Sequence, residues 1–266
     1  MTFALTEKQN EAMELLISPA MYIGLGGGSR SGKTFLFLRA LIIRALKAEG
    51  SRHAVFRFRF NSVKASVVKD TLPKVMSLCF PGVMEKSNLD KTDWYLTLPN
   101  KSEVWFGGLD DKDRTEKILG MEFATIFFNE CSQIPFNSVV TALTRLAQKT
   151  KLKLKAYFDL NPPSKSHWTY LQFIAKKSPV TGKPLEQGDN YVYLTINPED
   201  NADNLAPEYL NSLRMLPERA RKRFLSGQFS DDDDNALWTE KILEKCRVLG
   251  RSDDPVPEFV RTVVAV

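Results

Sequence analysis

Residues near the amino end read Gly27-Gly28-Ser29-Arg30-Ser31-Gly32-Lys33-Thr34, matching the pattern G-x-x-x-x-G-K-[S/T] at every fixed position. A short, mostly apolar run at 21–25 precedes this loop, and a helical pattern at 33–48 follows it. Glycines let backbone N–H groups surround phosphate oxygens at a helix N-terminus, where the helix dipole also favours an anion. The alternative is a glycine-rich turn that happens to precede a helix. We favour a phosphate-binding loop in which Lys33 contacts the β- and γ-phosphates and Thr34 offers its hydroxyl to Mg²⁺.

Strand and helix patterns alternate from residue 21 to residue 196, which predicts an α/β fold with a largely parallel sheet. The predicted strands are 21–25, 54–60, 94–98, 103–106, 125–129, 152–159 and 191–196. The predicted helices are 33–48, 62–78, 136–149, 167–176, 207–216 and 217–225. Turn residues at 99–102 join two of the strands as a hairpin inside the otherwise alternating order.

A second polar site follows the apolar strand at 125–129, which ends in Asn129 and Glu130. Asp is the usual first residue there, and an amide oxygen at Asn129 can still hold a metal-bound water, but without negative charge. Glu130 is the natural general base for an attacking water. The alternative is an ordinary polar end of a strand. The long gap between Lys33 and Glu130 leaves room for intervening strands and favours the RecA-like type of P-loop NTPase, which carries a catalytic Glu.

Composition excludes several classes of protein. The 266 residues are 43% hydrophobic and 26% charged, so the chain can bury a full core and is not predicted to be disordered. The net charge of +5 fits an acidic partner such as nucleic acid without requiring one. Three Cys and two His residues lie far apart, so neither a disulfide framework nor a zinc site is predicted. The apolar run at 35–46 contains Arg39 and Arg44, and we predict no membrane span and a cytosolic location.

Several separate motifs resemble one known family, the large terminase subunit of tailed bacteriophages, in its N-terminal ATPase domain. The resemblance covers nearly the whole chain. Beside the phosphate loop and Glu130, it rests on Leu5-Thr6-Glu7-Lys8-Gln9, Asn161-Pro162-Pro163-Ser164, His167-Trp168, Asn197-Pro198 and Arg223-Phe224-Leu225-Ser226-Gly227-Gln228-Phe229. It implies a RecA-like core with ATP and Mg²⁺ as cofactors, flanking helices and a small helical lid.

The resemblance also implies roles for single residues. Gln9 would read the adenine edge, and Arg30 would contact a γ-phosphate oxygen or link the loop to the lid. Arg145 would act as an arginine finger on the nucleotide of a neighbouring subunit. Asn161 would couple the nucleotide state to lid movement. The alternatives are a surface Gln on an amphipathic helix, solvated arginines, and a turn-forming Asn before Pro.

We expect three segments: an ATPase core at 1–196, a lid at 197–230, and an acidic linker with the start of a nuclease domain at 231–266. Residues 260–266 resemble the opening strand of the family's RNase H-like nuclease, whose first metal-binding Asp would come next. The expectation is a chain that hydrolyses ATP but does not cut DNA. The acidic run at 231–234 favours a solvated loop over a metal site, because four adjacent carboxylates repel one another.

Basic residues are concentrated in two segments. Residues 39–74 hold nine Lys or Arg against two acids, and residues 145–177 hold eight against one. In the second segment Lys151, Lys153 and Lys155 alternate with leucines, which predicts three ammonium groups on one strand face. Such patches would bind DNA phosphates without sequence preference. The alternative is that both are ordinary solvated faces.

The function expected is an ATPase motor that drives double-stranded DNA into a viral procapsid. The family further implies a homo-oligomeric ring during packaging, monomers when isolated, a portal protein and a small terminase subunit as partners, and the host bacterial cytoplasm as location. Two alternatives remain. One is a single-lobe helicase or translocase, and the other is a module, inactive in isolation, that binds ATP and DNA without turnover, which the uncharged Asn129 makes plausible.

Overall fold

A computed structural model describes residues 4–110 and 120–231, together with residues 242, 245 and 246. The described residues form one eight-stranded sheet in the order β3-β4-β5-β2-β6-β7-β1-β8. The strands are β1 Tyr22–Gly26, β2 Arg52–Arg57, β3 Asn88–Asp90, β4 Tyr95–Thr97, β5 Glu103–Gly108, β6 Thr125–Phe128, β7 Lys155–Leu160 and β8 Tyr191–Thr195.

The sheet is parallel from β5 through β2, β6, β7 and β1 to β8, and antiparallel where β3 pairs with β4 and β4 with β5. The predicted parallel α/β fold and its hairpin are therefore confirmed. Strand β3 was not predicted, since three residues are too few to show alternation.

Helices cover both faces of the sheet. They are α1 Glu7–Ile17, α2 Lys33–Lys47, α3 Phe60–Val63, α4 Leu72–Cys79, α5 Pro81–Met84, α6 Phe136–Leu143, α7 Trp168–Phe173, α8 Pro207–Arg214 and α9 Glu218–Phe224. Successive strand residues point to opposite faces, so Phe127 packs in one apolar cluster with α1 and α2, whereas Phe128 packs in the other with α6 and α7. The sheet and the helices on its two faces therefore form three layers.

Several predicted elements differ from the structure: β2 ends at Arg57 rather than 60, and α7 ends at Phe173 rather than 176. The predicted helix at 62–78 begins earlier, at Phe60, and contains a π-helical segment, Lys64–Thr71. Helix α6 ends at Leu143 rather than 149 because the carbonyl of Arg145 accepts a hydrogen bond from the N–H of Phe123, which turns the chain back to the sheet. Strand β7 begins at Lys155 rather than 152.

After β8 the chain forms the 3-10 segment Pro198–Asn204 and then α8 and α9. Chain contacts divide the protein into two units, residues 1–230 and 231–266. The predicted nuclease-like strand at 260–266 and most of the acidic run after Asp231 lie outside the described residues. In the described part of the chain, no helix is both long and apolar enough to cross a bilayer.

Candidate active site

The phosphate loop lies between β1 and α2, where the sequence predicts it. Gly32 is the N-cap of α2 and has a left-handed backbone with a φ of 89°. Lys33 is buried, and its Nζ donates to the carbonyls of Gly27 at 3.2 Å and Gly28 at 2.6 Å and to Ser31 Oγ at 2.9 Å. The ammonium group is thus held inside the loop that would surround the phosphates.

Burial lowers the pKa of Lys33 to about 8, and the charges of Asp159 and Glu130 act in the opposite direction. An anionic phosphate beside Nζ would add a further opposite charge and favour the charged ammonium. The protonation of Lys33 is therefore coupled to whatever anion the loop binds.

Asp159 lies at the carboxyl end of β7 and is only 2% exposed. Its Oδ2 accepts from Thr34 Oγ1 at 2.6 Å, and its Oδ1 accepts from the backbone N–H of Glu130. Burial raises the pKa of Asp159, whereas the hydrogen bonds from Thr34 and Glu130 and the charge of Lys33 lower it. A buried carboxylate therefore contacts both the phosphate loop and the end of β6.

Asn129 lies beside Asp159 and is equally buried. Its Nδ2 donates to both carboxylate oxygens of Asp159, at 3.1 and 2.9 Å, and lies 3.3 Å from Thr34 Oγ1. Asn129 Oδ1 is buried and has no hydrogen-bond partner among the described residues. Because leaving a buried acceptor unsatisfied is costly, this oxygen is suited to a donor such as a metal-bound water.

Glu130 has a positive φ of 48°, which is uncommon for a residue other than glycine. Its Oε2 forms an ion pair with Arg57 Nη2 and accepts a hydrogen bond from Gln133 Nε2 at 2.8 Å. Arg57, at the end of β2, is anchored in turn on Ser66 Oγ at 2.7 Å. Arg57, the last residue of β2, thus fixes the position of the Glu130 carboxylate.

Asn161 follows β7 directly, and its Oδ1 accepts from Lys33 Nζ at 3.4 Å. The structure therefore brings Asn161, Lys33, Thr34, Asn129 and Glu130 together at one edge of the sheet. Parallel α/β sheets place ligand sites at this carboxyl edge.

Gln9 lies on α1 and its side chain is buried next to Gly32. Its Oε1 accepts from Thr6 N at 3.2 Å, and its Nε2 donates to Asn201 Oδ1 at 2.9 Å. Asn201 also donates to the carbonyl of Arg30 at 2.9 Å. The interpretation of Gln9 as a surface residue is wrong, since its amide joins α1 to the phosphate loop through Asn201.

The segment 197–230 contacts the loop directly. The N–H of Gly28 donates to Asn197 Oδ1 at 3.1 Å, and the N–H of Ser29 donates to the carbonyl of Phe224 at 2.9 Å. The Arg30 side chain is exposed, and its charge lowers the pKa of Tyr209 on α8, which burial raises. Arg30 therefore lies beside the segment to which the resemblance links it.

Arg145 lies elsewhere. Its Nε donates to its neighbour Thr144, and its carbonyl accepts from Phe123, which precedes β6. The phosphate loop is at the opposite end of the strands, about 20 Å away for six extended residues at about 3.3 Å each. The structure does not bring Arg145 to the phosphate-loop sequence of its own chain.

Lys155 corrects the predicted basic strand face. Its side chain is 4% exposed, and its Nζ donates to the carbonyls of Leu16 at 3.0 Å, Ser18 at 2.5 Å and Ala20 at 3.2 Å. Lys151 and Lys153 are exposed in an irregular segment before β7. The three ammonium groups do not share one face, because the strand begins only at Lys155.

Sequence reasoning missed Asp159, Arg57 and Asn201 as site residues. The sequence contains one signal for Asp159, since it is an acid within the otherwise apolar run Ala156-Tyr157-Phe158-Asp159-Leu160, just before Asn161. Arg57 was counted with the basic segment, and no local pattern distinguishes an arginine that pairs with a distant acid. Asn201 lies among the polar residues of the 3-10 segment Pro198–Asn204, and no neighbouring residue marks it as different from them.

Comparison with known proteins agrees with this architecture. The family model for the terminase large subunit, T4likevirus-type, N-terminal, matches residues 25–245. No curated protein matches the sequence significantly. The large terminase of a thermophilic bacteriophage matches with a TM-score of 0.70 at 18% identity, over 85% of this chain and 54% of that chain. Other structures of that thermophilic-phage terminase are complexes with ADP and with ATP-γ-S.

Two further structures match over similar parts of this chain. The ATPase domain of the Thermus phage P74-26 large terminase has a TM-score of 0.60 at 14% identity, and the match covers 86% of this chain and 95% of that domain. The HK97 bacteriophage large terminase has a TM-score of 0.63 at 13% identity, with coverage of 85% and 51%. At these identities the likeness establishes the fold, and this chain spans about half the length of the thermophilic-phage and HK97 proteins. Because the family model covers most of the sequence, the chain belongs to the T4-type family of terminase large subunits and corresponds to their N-terminal region.

Proposed function

We propose that this chain is the Mg²⁺-dependent ATPase of a motor that packages double-stranded viral DNA. The observation that carries the proposal is the convergence of Lys33 and Thr34 with Glu130 at the carboxyl edge of one parallel sheet. The complexes of the thermophilic-phage terminase with ADP and ATP-γ-S support a nucleotide as the ligand. The family membership supports a portal protein and a small terminase subunit as partners, a ring of subunits during packaging, and action in the host cytoplasm.

Hydrolysis needs a held phosphate and an activated water. Lys33 and the loop amides bind the β- and γ-phosphates, and Glu130 accepts the proton of the attacking water. In the structure Glu130 is paired with Arg57, so the carboxylate must turn from Arg57 toward the γ-phosphate, or reach the water while still paired. Gln9 would contact the adenine base, and its position beside Gly32, where Asn201 Oδ1 accepts from its amide nitrogen, supports this role.

The residues beside Thr34 suit Mg²⁺. The Thr34 hydroxyl donates its proton to Asp159 and accepts a hydrogen bond from Asn129 Nδ2 at 3.3 Å, which leaves one lone pair of its oxygen for a cation. Asn129 Oδ1 offers a buried acceptor for a coordinated water. Within the described ranges no cluster of three or more His, Cys, Asp or Glu side chains could bind a metal alone. Mg²⁺ in nucleotide sites keeps several waters and needs few protein groups, and when bound it neutralises developing phosphate charge.

Two parts of the chain would connect the site to a conformational change of the segment 197–230 and to a neighbouring subunit. Asn197 and Phe224 hold the loop backbone, so phosphate entry or release would change how the segment 197–230 rests on it. Asn161 contacts Lys33 and would transmit the same change along β7. Arg145, remote from its own loop, would stabilise phosphoryl charge in the next subunit of a ring.

The first test is steady-state ATP hydrolysis over a protein concentration series, with and without duplex DNA. Glu130→Gln is expected to lower kcat by about 10² to 10⁴-fold while ATP still binds. Lys33→Ala is expected to abolish binding. Glu85→Gln and Lys86→Ala change exposed residues of the same types and are the matched controls. Tight ATP binding without turnover under any condition would instead support a module that binds but does not hydrolyse.

A mixing experiment tests Arg145. Lys33→Ala subunits keep the finger but lose the nucleotide, whereas Arg145→Ala subunits keep the nucleotide but lose the finger. If Arg145 acts on a neighbour, a mixture of the two variants regains activity that neither has alone. Activity of Arg145→Ala equal to that of the unmodified chain, at concentrations where the subunits assemble, would contradict the role.

DNA translocation is tested separately from hydrolysis. Affinity for duplex DNA is expected to fall by orders of magnitude between low and physiological salt, because Lys and Arg would contact phosphates. A strand-displacement assay distinguishes the packaging motor, which moves intact duplex, from a helicase, which would release single strands.

A further inference from the structure

The carboxylate nearest the phosphate loop is on a different strand from the one that sequence patterns single out. The pattern for this class of site places an Asp at the end of β6, where this chain has Asn129. The structure has Asp159 at the matching position of β7. We propose that Asp159 supplies the carboxylate of the Mg²⁺ shell and that Asn129 positions it, so that in this chain the acid lies at the end of β7 and not at the end of β6. This inference rests on the proposed function.

Strand register places the two residues side by side. Strands β6 and β7 are parallel with Phe128 opposite Phe158, so Asn129 and Asp159 are the next pair and point to the same face. Strand β7 lies between β6 and β1, and Asp159 is opposite Leu25 near the end of β1. A carboxylate on β7 is therefore one strand nearer to the phosphate loop than a carboxylate on β6.

Hydrogen-bond directions assign the roles. An ionised carboxylate only accepts hydrogen bonds, so the amide nitrogen of Asn129 must face Asp159 and the amide oxygen must face away. A hydroxyl that binds a cation through its lone pairs directs its proton to an acceptor, and Thr34 directs its proton to Asp159 Oδ2 at 2.6 Å. Asp159 therefore accepts the proton of the hydroxyl that would bind the cation, and Asn129 Oδ1, which has no hydrogen-bond partner among the described residues, points away from Asp159.

The test measures ADP binding by calorimetry as Mg²⁺ is raised from zero, and Mn²⁺ binding in the presence of ADP by electron paramagnetic resonance. Neither readout depends on hydrolysis. Asp159→Asn is expected to raise the Mg²⁺ concentration for half-maximal effect about tenfold or more, with metal-free ADP binding changed less than about twofold. Asp70→Asn, an exposed acid on the surface, is the matched control.

The exchanged double variant Asn129→Asp/Asp159→Asn separates loss of the carboxylate from general damage to the site. It keeps composition and net charge, and it returns the acid to β6. The expected result is a half-maximal Mg²⁺ concentration within about threefold of the unmodified chain. A double variant no better than Asp159→Asn, or an Asp159→Asn variant with the unmodified value, would overturn the inference.

The same titrations distinguish this inference from the proposed function. Failure of the unmodified chain to bind ADP at any Mg²⁺ concentration would refute the nucleotide site itself. ADP binding with an unchanged Mg²⁺ response in Asp159→Asn would leave the nucleotide site standing and refute only the role of Asp159. Melting temperatures without nucleotide or metal show whether each variant is folded.

Discussion

Arg57 Nη2 donates a hydrogen bond to Glu130 Oε2, although Arg57 ends β2, Glu130 lies just after β6, and the two residues are 73 positions apart in the chain. The Arg57 side chain is 12% exposed and the Glu130 side chain 35% exposed, so water screens the pair only in part. Arg57 is also fixed by Ser66. The ion pair therefore holds the side chain of the proposed general base in one position.

A double-mutant cycle measures this pair. Arg57→Ala, Glu130→Ala and the double variant are expected to give a coupling of about 1 to 2 kcal/mol in the free energy of unfolding, which is typical of a charged hydrogen bond that is partly exposed. Urea denaturation of the four proteins gives the value. The cycle for Lys74 and Asp70, an exposed pair, is the control and is expected near zero. Equal coupling energies in both cycles would show that the Arg57–Glu130 pair stabilises the fold no more than an exposed surface pair does.

Nucleotide binding is expected to take up a proton above pH 8. Free Lys33 has a pKa of about 8, so it is charged below that pH and neutral above it. A bound phosphate favours the charged form and raises this pKa, so ADP affinity should fall by up to about fivefold between pH 8 and pH 9. Calorimetry in buffers of different ionisation enthalpy should show almost no proton uptake at about pH 6.5 and close to one proton at about pH 9. Absence of uptake at the higher pH would contradict the buried position of Lys33.

Gly227 is expected to control the contact between the loop and the segment 197–230. It has a φ of +60°, and a Cβ there would lie 2.4 Å from Asn197 Oδ1 and 2.5 Å from Gly27 Cα. Gly182 has a similar φ of +69° with no atom within 4 Å of its Cβ position, so Gly182→Ala is the matched control. Both substitutions are expected to cost about 1 to 2 kcal/mol of folding free energy for the left-handed backbone.

Only Gly227→Ala is also expected to weaken ADP binding, by about tenfold or more, because it displaces Gly27 or Asn197. Calorimetry of ADP binding and thermal unfolding of the two variants provide the comparison. Equal ADP affinity in both would show that the contact does not shape the phosphate loop.

Lys155 is expected to stabilise the fold without binding DNA. Lys155→Met keeps most of the length of the side chain but removes the donor from three backbone carbonyls, and it should lower the free energy of unfolding by about 2 to 3 kcal/mol. Lys153→Met, the same change at an exposed lysine nearby, should leave stability within about 0.5 kcal/mol. Denaturation and a duplex-binding titration test both variants. If Lys155→Met lost DNA affinity while its free energy of unfolding stayed unchanged, Lys155 would belong to a DNA-binding face and its structural role would be wrong.

Local sequence patterns determined those features of the protein that depend on residues close together in the chain. The phosphate loop needs only glycines, Lys33 and Thr34 between a strand and a helix, and all of these lie within a few residues. Glu130 follows an apolar strand directly, and the alternation of strands and helices was enough to predict a mainly parallel sheet. Periodicity and turn chemistry act over short distances, so a single sequence reports them.

Tertiary structure alone decided which distant residues share the site. Thr34 meets Asp159 across 125 positions, Gln9 meets Asn201 across 192, and Lys155 reaches the carbonyl of Leu16 across 139. These contacts depend on the strand order that places β7 between β6 and β1 and on the register that sets Asn129 beside Asp159. The sequence by itself therefore determined the chemistry available at the ends of the strands. The order and register of the sheet decided which acid faces the phosphate loop, because both arise from packing between segments that no local pattern connects.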